Sequence, residues 1–169
     1  MTDRIHYIVD GYNVLHALFP HLTQADLDDR RRWLTDQLAG FASLKDASVT
    51  LVYDARSKPS PSREPVAGTR LEVCFAGGRF SADTLIGRRI AEQPADVTTV
   101  VVSADYEVQR TAARAGVLRM TPRELGAELD RNEEKLANDE KSSRIPSSVE
   151  DKVDVETREI LERLRREGS

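Results

Sequence analysis

Five short apolar runs punctuate the first 120 residues, and between them the spacing of hydrophobic positions changes from strand-like to helical. Residues 5–9 are apolar and partly β-branched and stop at Asp10-Gly11, which reads as a buried strand entering a turn. Thr23 stands where it would cap a helix in which Leu27, Leu34, Leu38 and Phe41 recur at helical spacing, with Trp33 continuing the apolar stripe. Asp28, Asp29, Arg30, Arg31 and Arg32 fall mostly on the wet side of that helix. Residues 49–53 form a second strand closed by Asp54, and the polar stretch rich in Ser, Pro and Arg that follows, through Gly68, reads as a long mobile loop.

A third strand over 71–75 breaks at Gly77-Gly78, after which Ser81 offers a cap for a helix burying Ala82, Leu85, Ile86 and Ile90. Residues 98–102 are the most strongly β-branched run, ending at Ser103-Ala104-Asp105 before a helical pattern that Gly116 stops. Residues 117–120 make a short last strand, and Thr121 can cap a helix beginning at Pro122. Strands alternating with helices predict an α/β fold with a mainly parallel central sheet flanked by helices. The domain is expected over 1–131. Residues 132–148 are dense in charge and broken at Ile145-Pro146, a linker or helix continuation, and 149–169 carry Val153, Ile160, Leu161 and Leu164 in a C-terminal amphipathic helix.

Composition narrows the function. A length of 169 residues allows one domain and an appendage, and 39% hydrophobic with 32% charged residues fits a folded chain with polar segments. With 25 basic against 29 acidic residues the net charge is −4, so any nucleic-acid partner must be met by a local basic patch. The single cysteine, Cys74, lies between Val73 and Phe75 and reads as a buried thiol. His6, His16 and His21 form no ligand spacing, and His6 within a strand reads as a hydrogen-bonded or edge histidine. No apolar stretch approaches the roughly 20 residues of a bilayer span, and the start lacks signal-peptide character, which predicts a cytoplasmic protein.

Open parallel sheets bind ligands at the carboxyl ends of their strands. Asp10, Asp54 and Asp105 occupy those places, and Asp83 is carried there by the first turn of a helix. Each acid has an ordinary explanation as a turn, cap or helix-dipole residue, but four at one edge point to a shared cation that offsets their repulsion. Oxygen donors select Mg²⁺ or Mn²⁺. Such a site suits phosphodiester cleavage, with Asn13 holding water or a phosphate oxygen and Ser103 orienting Asp105 or a metal-bound water.

The string Ile8-Val9-Asp10-Gly11-Tyr12-Asn13-Val14-Leu15 resembles the opening motif of NYN domains, a branch of the PIN-like ribonucleases, and specifically the YacP-like group. The likeness continues through Val52-Tyr53-Asp54-Ala55, Ser81-Ala82-Asp83, Val102-Ser103-Ala104-Asp105-Tyr106 with Gln109, and Arg123-Glu124-Leu125. It implies a PIN-like fold and Mg²⁺- or Mn²⁺-assisted endonucleolytic cutting of RNA, with Asp10, Asp83 and Asp105 as principal acids and Asp54 and Asn13 in support. It further implies messenger RNA as substrate and the ribosome as partner. Thr84 and Gly87 stand where the family often has acids, and Ala104 where a hydroxyl residue is usual, which thins the support of the site.

Arg56, Lys58, Arg63 and Arg70 in or beside the loop after Asp54, with Arg79, Arg88 and Arg89 around the Asp83 helix, border the acids and suit flanking phosphates. Each is otherwise a solvated surface charge. Tyr12 and Tyr106 adjoin the acids and can stack unpaired bases, or simply pack. Two other classes compete. A phospho-accepting receiver domain would carry Lys on a late strand, and 117–120 has none; a non-catalytic RNA-binding or ribosome-associated module would follow if Thr84, Gly87 and Ala104 abolish metal binding.

Overall fold

The computed structural model describes residues 4–144. Its central strand, β1 (Arg4–Asp10), turns Tyr7 and Val9 to one face of the sheet and Ile8 to the other, and all three are buried. Burial on both faces is why the strand reads as a continuous apolar run rather than an alternating one. The further elements in chain order are α1 (Gly11–Leu18), α2 (Leu27–Leu44), β2 (Ser48–Asp54), β3 (Ser62–Pro65), β4 (Leu71–Ala76), α3 (Ala82–Glu92), β5 (Val97–Val102), α4 (Tyr106–Ala115), β6 (Leu118–Met120) and α5 (Pro122–Arg144). The sheet order is β3-β4-β2-β1-β5-β6, parallel throughout except for β3. An α/β fold with a mostly parallel sheet is what the alternating pattern predicts.

Two apolar layers cover the sheet. Val14 and Leu15 of α1, Leu34, Leu38 and Phe41 of α2, and Leu125 and Leu129 of α5 pack on one face, against side chains such as Val49, Leu51 and Val100. On the other, Leu85, Ile86 and Ile90 of α3 and Val108 and Ala112 of α4 cover Ile8, Val52, Cys74 and Val101. Cys74 is the buried thiol its neighbours suggested, and burial pushes its pKa up to about 11. His6 joins a polar ladder across three strands: its ring nitrogens lie 2.7 Å from Ser48 Oγ and 2.9 Å from Thr50 Oγ1, and Thr50 donates to Glu72 at 3.0 Å. Among the described residues no helix is long and apolar enough to cross a membrane.

Three local readings change. Asp10-Gly11 is not a simple turn but the doorway to α1, whose eight residues are too few for a clear helical period. The stretch after Asp54 is not all loop, because Ser62–Pro65 pairs antiparallel with β4. Its charged and proline-ended sequence, Ser-Arg-Glu-Pro, is that of a guarded sheet edge and carries no apolar signal. Thr23 does not cap α2; Asp26 precedes the helix, and the Thr23 hydroxyl donates to the Asp26 carboxylate at 2.6 Å. Trp33 is half-buried, edge-on to Phe19 with ring centroids 5.1 Å apart. Ser81, by contrast, caps α3 by accepting from Thr84 N at 3.2 Å, and Thr121 and Glu124 form a reciprocal capping box at α5. The helix expected over 149–169 lies outside the described residues, as do residues 145–148 of the preceding charged segment.

Close approach fixes two loops near the carboxyl edge. A Cβ on Gly77 would sit 2.5 Å from the Ser60 carbonyl oxygen, and one on Gly78 the same distance from that of Pro59, so the loops after β2 and β4 touch backbone to backbone. Gly11 meets a side chain instead: a Cβ there would lie 2.3 Å from the Tyr53 ring. Gly40, inside α2, has nothing within 4 Å. Gly11→Ala should therefore destabilise by about 1–3 kcal/mol through overpacking, whereas Gly40→Ala should stabilise by about 0.4–1 kcal/mol. Denaturant unfolding of the two variants beside the parent chain checks both signs.

Candidate functional site

The strand order places a topological switch between β1 and β5: the chain steps from β1 outward through β2 and β4, then returns to add β5 on the opposite side. Loops diverge there, at the carboxyl ends of the strands. Asp10 ends β1, Asp54 ends β2, Asp83 is in the first turn of α3, and Asp105 precedes α4 directly after β5. All four candidate acids thus stand at one edge of the sheet.

Asp10 is the buried member, 7% exposed. Its Oδ2 accepts from the Ser103 hydroxyl at 2.9 Å, and that same hydroxyl accepts from the backbone N–H of Asp105 at 3.0 Å. One serine therefore ties the ends of β1 and β5 together, orienting Asp10 as well as the Asp105 backbone. Gln109 steadies this turn by donating to the Ser103 carbonyl at 2.9 Å. Burial raises the Asp10 pKa to about 6, the Ser103 and Asn13 hydrogen bonds oppose the rise, and the charges of Asp83 and Asp105 add to it. Burial also raises the pKa of Asp83, with contributions from Asp105, Asp54 and Glu107.

These mutual influences join all four acids electrostatically and add Glu107, which the sequence reading missed. Its signal was an acid two residues after Asp105 in the first turn of a helix, a position ordinarily explained by the helix dipole. The acids are not drawn into a closed cage: among the described residues no group of three or more His, Cys, Asp or Glu side chains is assembled to hold a metal ion. Asp105 also serves as the ordinary cap, its Oδ1 accepting from Glu107 N at 2.9 Å and Val108 N at 3.2 Å. In donor chemistry the set fits a hard divalent cation, being all carboxylate oxygen, and the raised pKa values, set first by burial and further by the neighbouring acids, mark charge that such a cation offsets.

Asn13 has a structural task. Its Oδ1 accepts from the backbone N–H of Ala104 at 2.7 Å, clasping α1 to the loop between β5 and α4. Tyr12 is likewise engaged: its hydroxyl accepts from Arg31 Nη1 at 3.2 Å and its ring lies 4.9 Å from that of Tyr53. Tyr106, beside Asp105, is 72% exposed.

The candidate basic residues divide. Arg56 is exposed, with Nε 4.0 Å from Asp54 Oδ2, and the Lys58 ammonium lies 4.0 Å over the Phe75 ring. Arg79 is exposed in the loop before α3, and the Arg88 guanidinium covers Phe80 at 4.1 Å. These four border the acidic edge. Arg63 instead pairs with Glu72 at 3.3 Å and Glu92 at 3.9 Å, the latter at the far end of α3. Arg70 pairs with Asp46 at the opposite edge of the sheet, and Arg89 is buried against Glu92 and the Cys74 sulfur. Their strand and helix registers, invisible as composition, turn these three away.

Because the folded chain holds the Asp10 proton more tightly than the unfolded chain, stability falls as pH rises from about 3.8 to about 6, and the loss is complete above that range. Asp10→Asn removes the charge and keeps the shape. In metal-free buffer it should raise unfolding free energy by up to about 3 kcal/mol at pH 8 and by little at pH 4, read from urea melts at the two pH values.

Comparisons with known proteins agree with this architecture. A sequence profile described as the YacP-like NYN domain matches residues 7–166. The crystal structure of a mutant of Rae1 (YacP) from Bacillus subtilis is similar with a TM-score of 0.67 and 26% identity, covering 86% of this chain and 88% of that one. A second crystal structure of the same protein gives a TM-score of 0.68 at 23% identity, over 95% of this chain and 94% of that one. Comparison with curated proteins returns no match. Since the profile spans nearly the whole length, this chain belongs to the YacP-like NYN domain family.

Proposed function

We propose that the protein is a divalent-metal-dependent endoribonuclease that hydrolyses phosphodiester bonds of single-stranded RNA. The observation that carries this reading is the electrostatic coupling of Asp10, Asp54, Asp83 and Asp105 across four separate elements at the carboxyl edge. Membership of a nuclease-type domain family supports a nucleic-acid substrate.

Asp10, Asp83 and Asp105 are the residues that would hold Mg²⁺ or Mn²⁺, with Asp54 in support through water. When bound, the ion supplies a water of lowered pKa and neutralises charge developing on phosphate oxygens. The protein's own contribution is orientation. Ser103 fixes the Asp10 carboxylate, and the Asn13 clasp on Ala104 holds α1 against the loop that presents Asp105. Arg56, Lys58, Arg79 and Arg88 surround the edge where they can meet flanking phosphates, and Tyr106 offers an exposed ring to a base. Messenger RNA presented by the ribosome in the cytoplasm is the substrate that the sequence resemblance implies.

A second reading is an RNA-binding or ribosome-associated module with weak or no catalysis. The absence of a preassembled cage among the described residues favours it, together with Thr84, Gly87 and Ala104 at positions where the resemblance leads one to expect acids or a hydroxyl.

Incubation of the purified chain with single-stranded RNA and Mn²⁺ separates the two. Cleavage should appear, cease in EDTA, and fall by more than about 100-fold in Asp83→Asn, beyond the range for losing a supporting partner. Asp54→Asn should fall by about 10–100-fold. RNA bound but uncut, on naked RNA and on ribosome-associated messenger alike, would replace the nuclease with the binding module.

A further inference from the structure

We propose that Gln109 is a positioning residue of the carboxyl edge: its side-chain amide, acting through Ser103, holds Asp10 and Asp105 in the arrangement that a divalent cation would meet. The proposal rests on the metal-dependent reading above and adds to it a neutral, half-buried residue one helical turn beyond Asp105. Ser103 is the joint on which both acids depend, and each of its polar groups has one task. The residue is 1% exposed and stands just past the end of β5. Its hydroxyl proton goes to Asp10 Oδ2 at 2.9 Å, and its hydroxyl oxygen accepts from the Asp105 N–H at 3.0 Å. Its backbone N–H donates to the Met120 carbonyl of β6 at 3.3 Å. Only the Ser103 carbonyl remains to be satisfied, and it accepts from Gln109 Nε2 at 2.9 Å.

The sheet cannot supply that last bond. Both ladders flanking β5 end at Val102, which pairs with Val9 on one side and Met120 on the other. In a parallel ladder, a residue that gives its N–H to one carbonyl takes its own bond from the N–H two residues further along the partner chain. Two residues beyond Met120 stands Pro122, which opens α5 and has no N–H to give. The buried carbonyl would thus be left without a partner, and the Gln109 amide replaces the donor that the proline lacks.

The same bond completes a clamp. The peptide unit between Ser103 and Ala104 is gripped at its oxygen by Gln109 from α4 and at its N–H by Asn13 Oδ1 from α1, at 2.7 Å. Asp105 follows directly, with its carbonyl accepting from the Gln109 N–H at 3.0 Å and its Oδ1 committed to Glu107 N and Val108 N. Oδ2 is then the Asp105 oxygen left for an ion. A carbonyl can be met only by a donor, so the task belongs to the amide nitrogen of Gln109. Loss of that donor leaves the peptide unit held from one side alone, and the Ser103 hydroxyl and Asp105 lose their fixed relation to Asp10.

The test titrates the full chain with Mn²⁺ in the absence of RNA and reads the free ion by electron paramagnetic resonance. Gln109→Met keeps the length and helix propensity of the side chain and removes its donor. It should bind Mn²⁺ about tenfold more weakly than the parent while keeping a cooperative melt, the scale of losing a partner behind a metal ligand. Gln109→Ala, measured alongside, should show the same loss and covers the case in which methionine disturbs the packing. Ser103→Ala should lose about 10–100-fold, and the double variant with Gln109→Met should lose clearly less than the product of the two single losses, because one residue acts through the other. In cleavage assays, excess Mn²⁺ should recover most of the Gln109→Met rate with KM for RNA unchanged, an outcome that a merely loosened helix would not give. Parent-like Mn²⁺ affinity in both Gln109 variants, or losses that multiply in the double variant, would overturn the role of Gln109 while leaving a parent chain that binds Mn²⁺ and cuts RNA as the nuclease. A parent chain that neither binds Mn²⁺ nor cuts RNA would remove the nuclease reading and this role together.

Discussion

The structure turns on one buried carboxylate. Asp10 ends the central strand where two apolar layers close over the sheet, and it is held there by the Ser103 hydroxyl, just past the end of the neighbouring strand, and by the Asn13 backbone. A charge in that position is unfavourable on its own, and the acids across the edge make it more so. The surrounding architecture consists of devices that hold this arrangement in place: the Ser103 bridge, the Asn13 clasp, and the helix that starts directly at Gly11, where the Tyr53 ring leaves no room for a side chain. Stability is given up at the one place where chemistry would gain from it, a common pattern at functional sites.

Much of this was legible in the sequence, because most elements announce themselves locally. The four longer parallel strands are short apolar runs ended by polar residues or, after β4, by a glycine pair, and Ser81, Asp105 and Gly116 mark helix ends with side chains or backbone freedom suited to the task. The acids were legible for the same reason: each follows a strand or opens a helix on one side of the sheet. What stayed hidden depends on partners distant along the chain. β3 exists because β4 offers it an edge, and nothing in Ser62–Pro65 itself is strand-like. Likewise, α1 is too short to show a period and is defined by what it packs against.

The basic residues make the same point more sharply. Arg56 and Arg63 lie seven positions apart in one polar stretch and look equivalent as sequence. Pairing register sends Arg63 opposite Cys74 and into the reach of Glu72 and Glu92, while Arg56 remains beside Asp54. Charge counts identify a surface that can meet a polyanion; register decides which charges are left to do so. Arg31 is the converse case, a residue assigned to a solvated helix face that instead reaches Tyr12 and overlies Tyr53.

The meeting of Gly77 and Gly78 with the Ser60 and Pro59 carbonyls has a mechanical meaning. With no side chain between the two backbones, the segment bearing Arg56 and Lys58 and the lead-in to the Asp83 helix behave as one welded corner. Grafting a longer segment into either would therefore displace both, and the cations and the acid would shift in concert rather than separately. On the opposite flank, around Tyr106, the ties are side-chain hydrogen bonds instead, from the Ser103 hydroxyl to Asp10 and from the Ala104 N–H to Asn13, and a substitution there can loosen one without moving a second loop.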